Sequence, residues 1–190
     1  MSKKIRYKIC ISGGAEGKNA EKAYPLARKV AKEMAKNGCV LITGATTGVP
    51  FEAAKANKEA GGSNIGFSPA GSEIEHKNKF RLPCNPDIFD HIIYAESGYT
   101  ARNLLMVRSS DATIVIDGRI GTLSEFTSAF EEGMIIGVLE GSGGIADHIR
   151  YILSIAKKGY GKVIFSSDPI DLVNQVIEKI REKKKKEKRK

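Results

Sequence analysis

A chain of 190 residues, 41% hydrophobic and 28% charged, is long enough to close one domain around a sizeable core, and its composition excludes extensive disorder. Its net charge of +9 is not spread over the molecule: positions 181–190 hold eight basic and two acidic residues, a net +6, which leaves +3 for the rest and argues against a nucleic-acid-binding body. There is no apolar stretch near the roughly 20 residues of a membrane span and no N-terminal apolar segment of signal-peptide length, so a cytoplasmic protein is expected.

The elements alternate from end to end. A first strand over 7–12 runs into Ser12-Gly13-Gly14, and a helix follows over 20–36. A strand over 39–43 leads into Thr43-Gly44-Ala45-Thr46-Thr47-Gly48 and a helix over 50–60. After a strand over 64–67, the segment 69–86 carries Pro69, Pro83 and Pro86 and no convincing element, which makes it either a lid or a poorly ordered insertion. Strands over 91–94, 112–116, 135–139 and 162–165 then alternate with helices over 99–109, 123–132, 145–157 and 169–186. Strictly alternating β and α segments predict a single doubly wound, Rossmann-like α/β domain, residues 1–180, with a mostly parallel sheet of about seven strands. Positions 181–190 form a basic C-terminal tail, either a solvated extension of the last helix or a weak polyanion contact.

The thiols and imidazoles suggest no metal chemistry. Cys10 and Cys39 lie in apolar runs and read as reduced core thiols, while Cys84 sits in the loop between Pro83 and Asn85 with no activating neighbour. His76, His91 and His148 are dispersed without metal-ligand spacing, and neither a metal nor a cofactor is expected. Ser12-Gly13-Gly14 is not a full Gly-x-Gly-x-x-Gly fingerprint and no acid closes the second strand, which disfavours dinucleotide binding.

The most informative stretch is Asp117-Gly118-Arg119-Ile120-Gly121-Thr122-Leu123-Ser124-Glu125, between the apolar run 112–116 and a helix. A buried parallel strand that breaks at glycines and restarts as a helix presents free N–H groups and a positive dipole end, a site for phosphate. Gly118, Gly121 and Thr122 are the cradle candidates, and Arg119 either adds charge to the phosphate, projects away or obstructs the pocket. Thr122-x-x-Glu125 is equally a capping box, in which Glu125 only closes the helix start. Arg102 is either an anion-gripping guanidinium or a helix-surface arginine paired with a carboxylate. Met106, four residues on, shares its face and packs in the core or on a ligand's base, and Asp117 is a second acid or a turn residue.

Arg102-Asn103-x-x-Met106 followed by Asp117-Gly118-x-x-Gly121-Thr122-x-x-Glu125 resembles the LONELY GUY family of cytokinin-activating phosphoribohydrolases, whose pattern is R-K-x-x-M and then P-G-G-x-G-T-x-x-E. Asn103, Asp117 and Arg119 depart from it, at the family's lysine, proline and second glycine. The resemblance implies catalytic roles for Arg102 and Glu125, with Ser12, Gly13, Gly14, Gly44, Gly118, Arg119, Gly121 and Thr122 holding the nucleotide. It implies hydrolysis of the N-glycosidic bond of a nucleoside 5′-monophosphate by a homodimer. The alternative is a non-catalytic carrier of a phosphate-bearing ligand, similar to the molybdenum-cofactor carriers that resemble the same superfamily.

Overall fold

Each strand of this chain feeds a helix that carries it back to the opposite end of the sheet, and that crossover makes neighbouring strands parallel. The computed structural model describes residues 7–157 and 159–188. Its strands are β1 (Lys8–Gly13), β2 (Val40–Thr43), β3 (Ser63–Ser68), β4 (His91–Tyr94), β5 (Ala112–Ile116), β6 (Ile135–Leu139) and β7 (Val163–Ser166). Its helices are α1 (Lys18–Lys36), α2 (Val49–Glu59), α3 (Glu73–Asn78), α4 (Gly98–Arg108), α5 (Ile120–Glu131), α6 (Ile149–Ala156) and α7 (Pro169–Glu187). The seven strands pair in the order β4-β3-β2-β1-β5-β6-β7, every pair parallel. The expected fold class is therefore observed, with the sheet wholly rather than mostly parallel.

The two faces are covered separately. Helix α1 packs against α2 and α7 on one side, and α4 packs against α5 on the other. Strand β5 shows how a continuous apolar run serves both: Ile114 and Ile116 enter the core with α1, α2 and α7, while Val115 enters a second core with Phe126, Ala129, Ile149 and Leu153. Along α7 the apolar stripe ends at Ile180, yet the helix continues through the lysines to Glu187, where Lys184 reaches Asp111 at 2.9 Å. Arg189 and Lys190, the end of the expected tail, lie outside the described residues. Among the described residues no helix is long and apolar enough to cross a membrane.

Segment 69–86 differs from its expectation of having no element, because it contains α3. Ser72 caps that helix by accepting from the Glu75 N–H, and the Glu75 carboxylate accepts from the Gly71 N–H at 2.8 Å. Buried His76 ties the segment down: Nε2 donates to the Pro83 carbonyl (3.1 Å), leaving Nδ1 to pair with the Ser68 hydroxyl (2.8 Å). The predicted helix over 145–157 is split into a 3-10 turn, Gly144–His148, and α6, which ends where Lys157 takes a left-handed φ of 53°.

Close approach of α7 to the sheet depends on Gly137 in β6, where an added Cβ would lie 2.9 Å from Val176 Cγ2 and 3.2 Å from Leu172 Cδ1. Gly137→Val is expected to lower unfolding free energy by about 1–3 kcal/mol through overpacking, read by urea titration. An unchanged midpoint would contradict the packing described.

Candidate functional site

The site lies beyond the carboxyl ends of the strands, at the seam between β1 and β5 where the strand order reverses, as expected for open α/β sheets. A cavity of about 420 Å³ opens there, within the range of small-molecule pockets. The loops after β1, β2 and β5 converge on it: Gly13, Gly14, Gly44, Arg119, Gly121 and Thr122 line it together with Arg102 and Glu125. Of the expected site residues, Ser12 lies buried against Glu125, and Gly118 faces a smaller neighbouring cavity instead of the main one. Its carbonyl accepts from the Ile145 N–H at 2.9 Å, so Gly118 shapes the turn and does not border the main cavity.

The chain leaves β5 through two left-handed residues, Asp117 (φ 53°) and Gly118 (φ 102°), which turn it sharply into α5. The helix begins at Ile120, three residues earlier than its pattern suggested. Arg119 occupies the N-cap and no side chain caps the helix, so the first-turn amides of Ile120, Gly121 and Thr122 have no intrahelical acceptor and open toward the cavity. Arg119 itself crosses to the β1–α1 loop, where its Nη2 donates to the Glu16 carbonyl.

The capping-box reading of Thr122 and Glu125 does not hold. Thr122 is already inside α5, and Glu125, one turn further on, accepts a hydrogen bond from the Ser12 hydroxyl at the end of β1. Glu125 is only 8% exposed. Burial pushes its carboxyl pKa up, and the Ser12 hydrogen bond and the nearby Arg102 charge pull it partly back.

Arg102 is buried on α4 rather than displayed on the helix surface. Its Nη1 donates to the Phe67 carbonyl at 3.2 Å and its guanidinium carbon lies 5.7 Å from the centre of the Tyr99 ring, while Nε has no partner. Burial holds its pKa below the usual arginine range, against the charge of Glu125. An added Cβ on Gly44 would fall 1.7 Å from Nη1, so Gly44 is glycine because Arg102 occupies the space. Sequence reasoning treated Asn103 only as a departure from a motif; it is buried, lines the cavity and leaves Oδ1 unpaired. Met106 is core, packed with Cys10, Ile42 and Phe67, and the Cys10 thiol is pushed well above its ordinary pKa by burial.

The family model of the SLOG cluster4 family matches residues 6–173. The chain belongs to the SLOG cluster4 family. This SLOG cluster4 protein is 35% identical over 124 residues to an uncharacterized protein of Archaeoglobus fulgidus, covering 65% of this chain and 75% of the other. Among solved structures it is similar to TM1055, with a TM-score of 0.77 at 22% identity over 91% of this chain and 99% of that one. It is also similar to the molybdenum cofactor carrier protein of Chlamydomonas reinhardtii, with a TM-score of 0.74 at 24% identity over 92% of this chain and 98% of that one. At such identities the structural likeness is one of fold.

Because folding raises the Glu125 pKa, the folded protein holds that proton at pH values where the unfolded chain has released it. Stability then falls as pH rises above the ordinary glutamate value of about 4.3. Glu125→Gln removes this penalty and keeps an acceptor for Ser12. It should melt a few degrees above wild type at pH 7, with the gap closing toward pH 4. A gap that stays constant or widens on acidification would contradict the buried carboxylate.

Proposed function

We propose that this protein binds a nucleoside 5′-monophosphate in the cleft and hydrolyses its N-glycosidic bond to free base and ribose 5-phosphate. The reading rests above all on one observation, the buried Glu125 carboxylate that Ser12 holds in the wall of the cleft beside the open N-terminus of α5. A site built only to hold an anion gains nothing from a carboxylate, whose charge opposes the ligand. A carboxylate helps where positive charge develops, and loss of a base from ribose passes through an oxocarbenium-like state. In this scheme the C1′–N bond breaks with its electron pair going to the base, and water adds to C1′ while Glu125 takes its proton and returns it to the departing base, which leaves neutral. The amides of Ile120 to Thr122, with Arg119, take the phosphate, and Arg102 orients it. The resemblance to LONELY GUY proteins in Arg102, Met106, Gly121, Thr122 and Glu125 supports the same assignment.

A carrier is the second reading. The likeness to the Chlamydomonas molybdenum cofactor carrier supports it, as does Arg119 spanning the cleft where the LONELY GUY pattern has glycine. Incubation with a panel of nucleoside monophosphates, scored for free base by chromatography, separates the two. Glu125→Gln should lower turnover about a hundredfold or more while nucleotide binding survives. Arg102→Ala should weaken binding and turnover together. Wild-type protein that binds nucleotide and releases no base from any of them would favour the carrier.

We further propose a homodimer formed through the face of α4, α5 and α6. The helices on that face expose Tyr99, Leu105, Ile120, Tyr151 and Ile155, whereas on the face of α1, α2 and α7 only Ile170 is a large exposed apolar residue among those described. Light scattering should report a dimer at micromolar concentration and a monomer for Leu105→Glu. A wild-type monomer would remove this proposal. Three unpaired thiols, Cys10, Cys39 and Cys84, suit a cytoplasmic location.

A further inference from the structure

The end of β5 carries a side chain that the proposed reaction does not use. Asp117 is 3% exposed, and its carboxylate lies between two glycine loops. An added Cβ on Gly14 would fall 2.3 Å from one carboxylate oxygen, and one on Gly144 2.6 Å from the other. Among the described residues, neither oxygen accepts a hydrogen bond or joins an ion pair. The turn does not need the side chain either. Its backbone is held by the Asp117 N–H donating to Ser142 Oγ (2.8 Å) and by its carbonyl accepting from the Ala146 N–H (3.2 Å). A left-handed position would take glycine more easily. A carboxylate that opens only onto a small cavity, with no donor from the described residues, takes its hydrogen bonds from whatever fills that cavity.

What it faces is a second cavity of about 260 Å³, lined also by Gly17, Ala20, Gly118 and Gly144. Glu16 and Arg119 border both this cavity and the main one, so the Arg119 guanidinium stands between the two chambers, at the N-terminus of α5. A phosphate at Arg119 therefore has room on both sides. The Glu125 chamber lies on one. On the other, the linking phosphate or diphosphate stays at the Arg119 guanidinium, and the Asp117 charge beyond it disfavours phosphate and welcomes hydroxyl or amine donors.

We propose that the chamber beyond Arg119 is a second subsite, in which Asp117 accepts hydrogen bonds from the hydroxyls of a sugar. Besides monophosphates, the cleft then takes nucleotides whose phosphate continues through a diester or diphosphate link to a sugar. This rests on reading the Glu125 chamber as the nucleotide pocket.

Calorimetric titration of the full chain with AMP, ADP-glucose, UMP and UDP-glucose tests it. At least one sugar nucleotide should bind ten times or more tighter than its monophosphate. Asp117→Asn, which fits the same space and tolerates a left-handed φ, should erase that advantage and leave monophosphate affinity unchanged. Asp117→Gly, which suits the backbone at least as well, should do the same. Equal affinities in wild type, or an advantage that survives both substitutions, would overturn the subsite while leaving the nucleotide pocket standing. Failure of all four compounds to bind would overturn both.

Discussion

The seam between β1 and β5 is the constraint on which the rest of the molecule depends. Strand order runs outward from these two in opposite directions, so the loops at their carboxyl ends turn toward opposite faces and leave a crevice that no helix fills. The Ser12–Glu125 hydrogen bond spans this seam, joining the end of β1 to the helix that follows β5. Every other candidate group is placed relative to it. Arg102 reaches in from α4 beneath the β2 loop, and Arg119 crosses above to the β1 loop.

The site is assembled from groups that folding alone would avoid. A buried carboxylate and a buried guanidinium lie near one another without a direct ion pair among the described contacts, and each is held away from its ordinary pKa by desolvation. Arg102 Nε and Asn103 Oδ1 remain unpaired in the same wall. Unsatisfied polar groups in native interiors are few. These two lie beside free helix-start amides, where a polar ligand would satisfy them. The same cores that bury β5 on both sides provide the rigidity to hold such an arrangement.

Much of the fold was legible because fully buried parallel strands are continuous apolar runs: 112–116 and 135–139 coincide with β5 and β6. Helix starts were harder. Thr122-x-x-Glu125 mimics a capping box and drew the start of α5 three residues too late, whereas the real start has no side-chain cap to announce it. Ser72-x-x-Glu75 carried the true signal for α3 but lay in a proline-containing stretch that read as loop. In the site, residue types were legible and their reasons were not. Gly44, expected to hold the nucleotide, lines the cavity and also clears space for Arg102, while the Phe67 carbonyl that anchors this arginine leaves no mark on sequence. Ser12 and Glu125 are 113 positions apart, and only the β1–β5 pairing brings them together.

The central claim is that the nucleotide phosphate sits on the first turn of α5 with its sugar facing Glu125. A crystal structure of Glu125→Gln with AMP bound tests it most directly. The account predicts phosphate oxygens within hydrogen-bond distance of the amides of Ile120 to Thr122 or of the Arg119 guanidinium, and C1′ of the ribose facing the side chain at position 125. A phosphate lodged elsewhere, or a base stacked over position 125 with C1′ turned away, would contradict it.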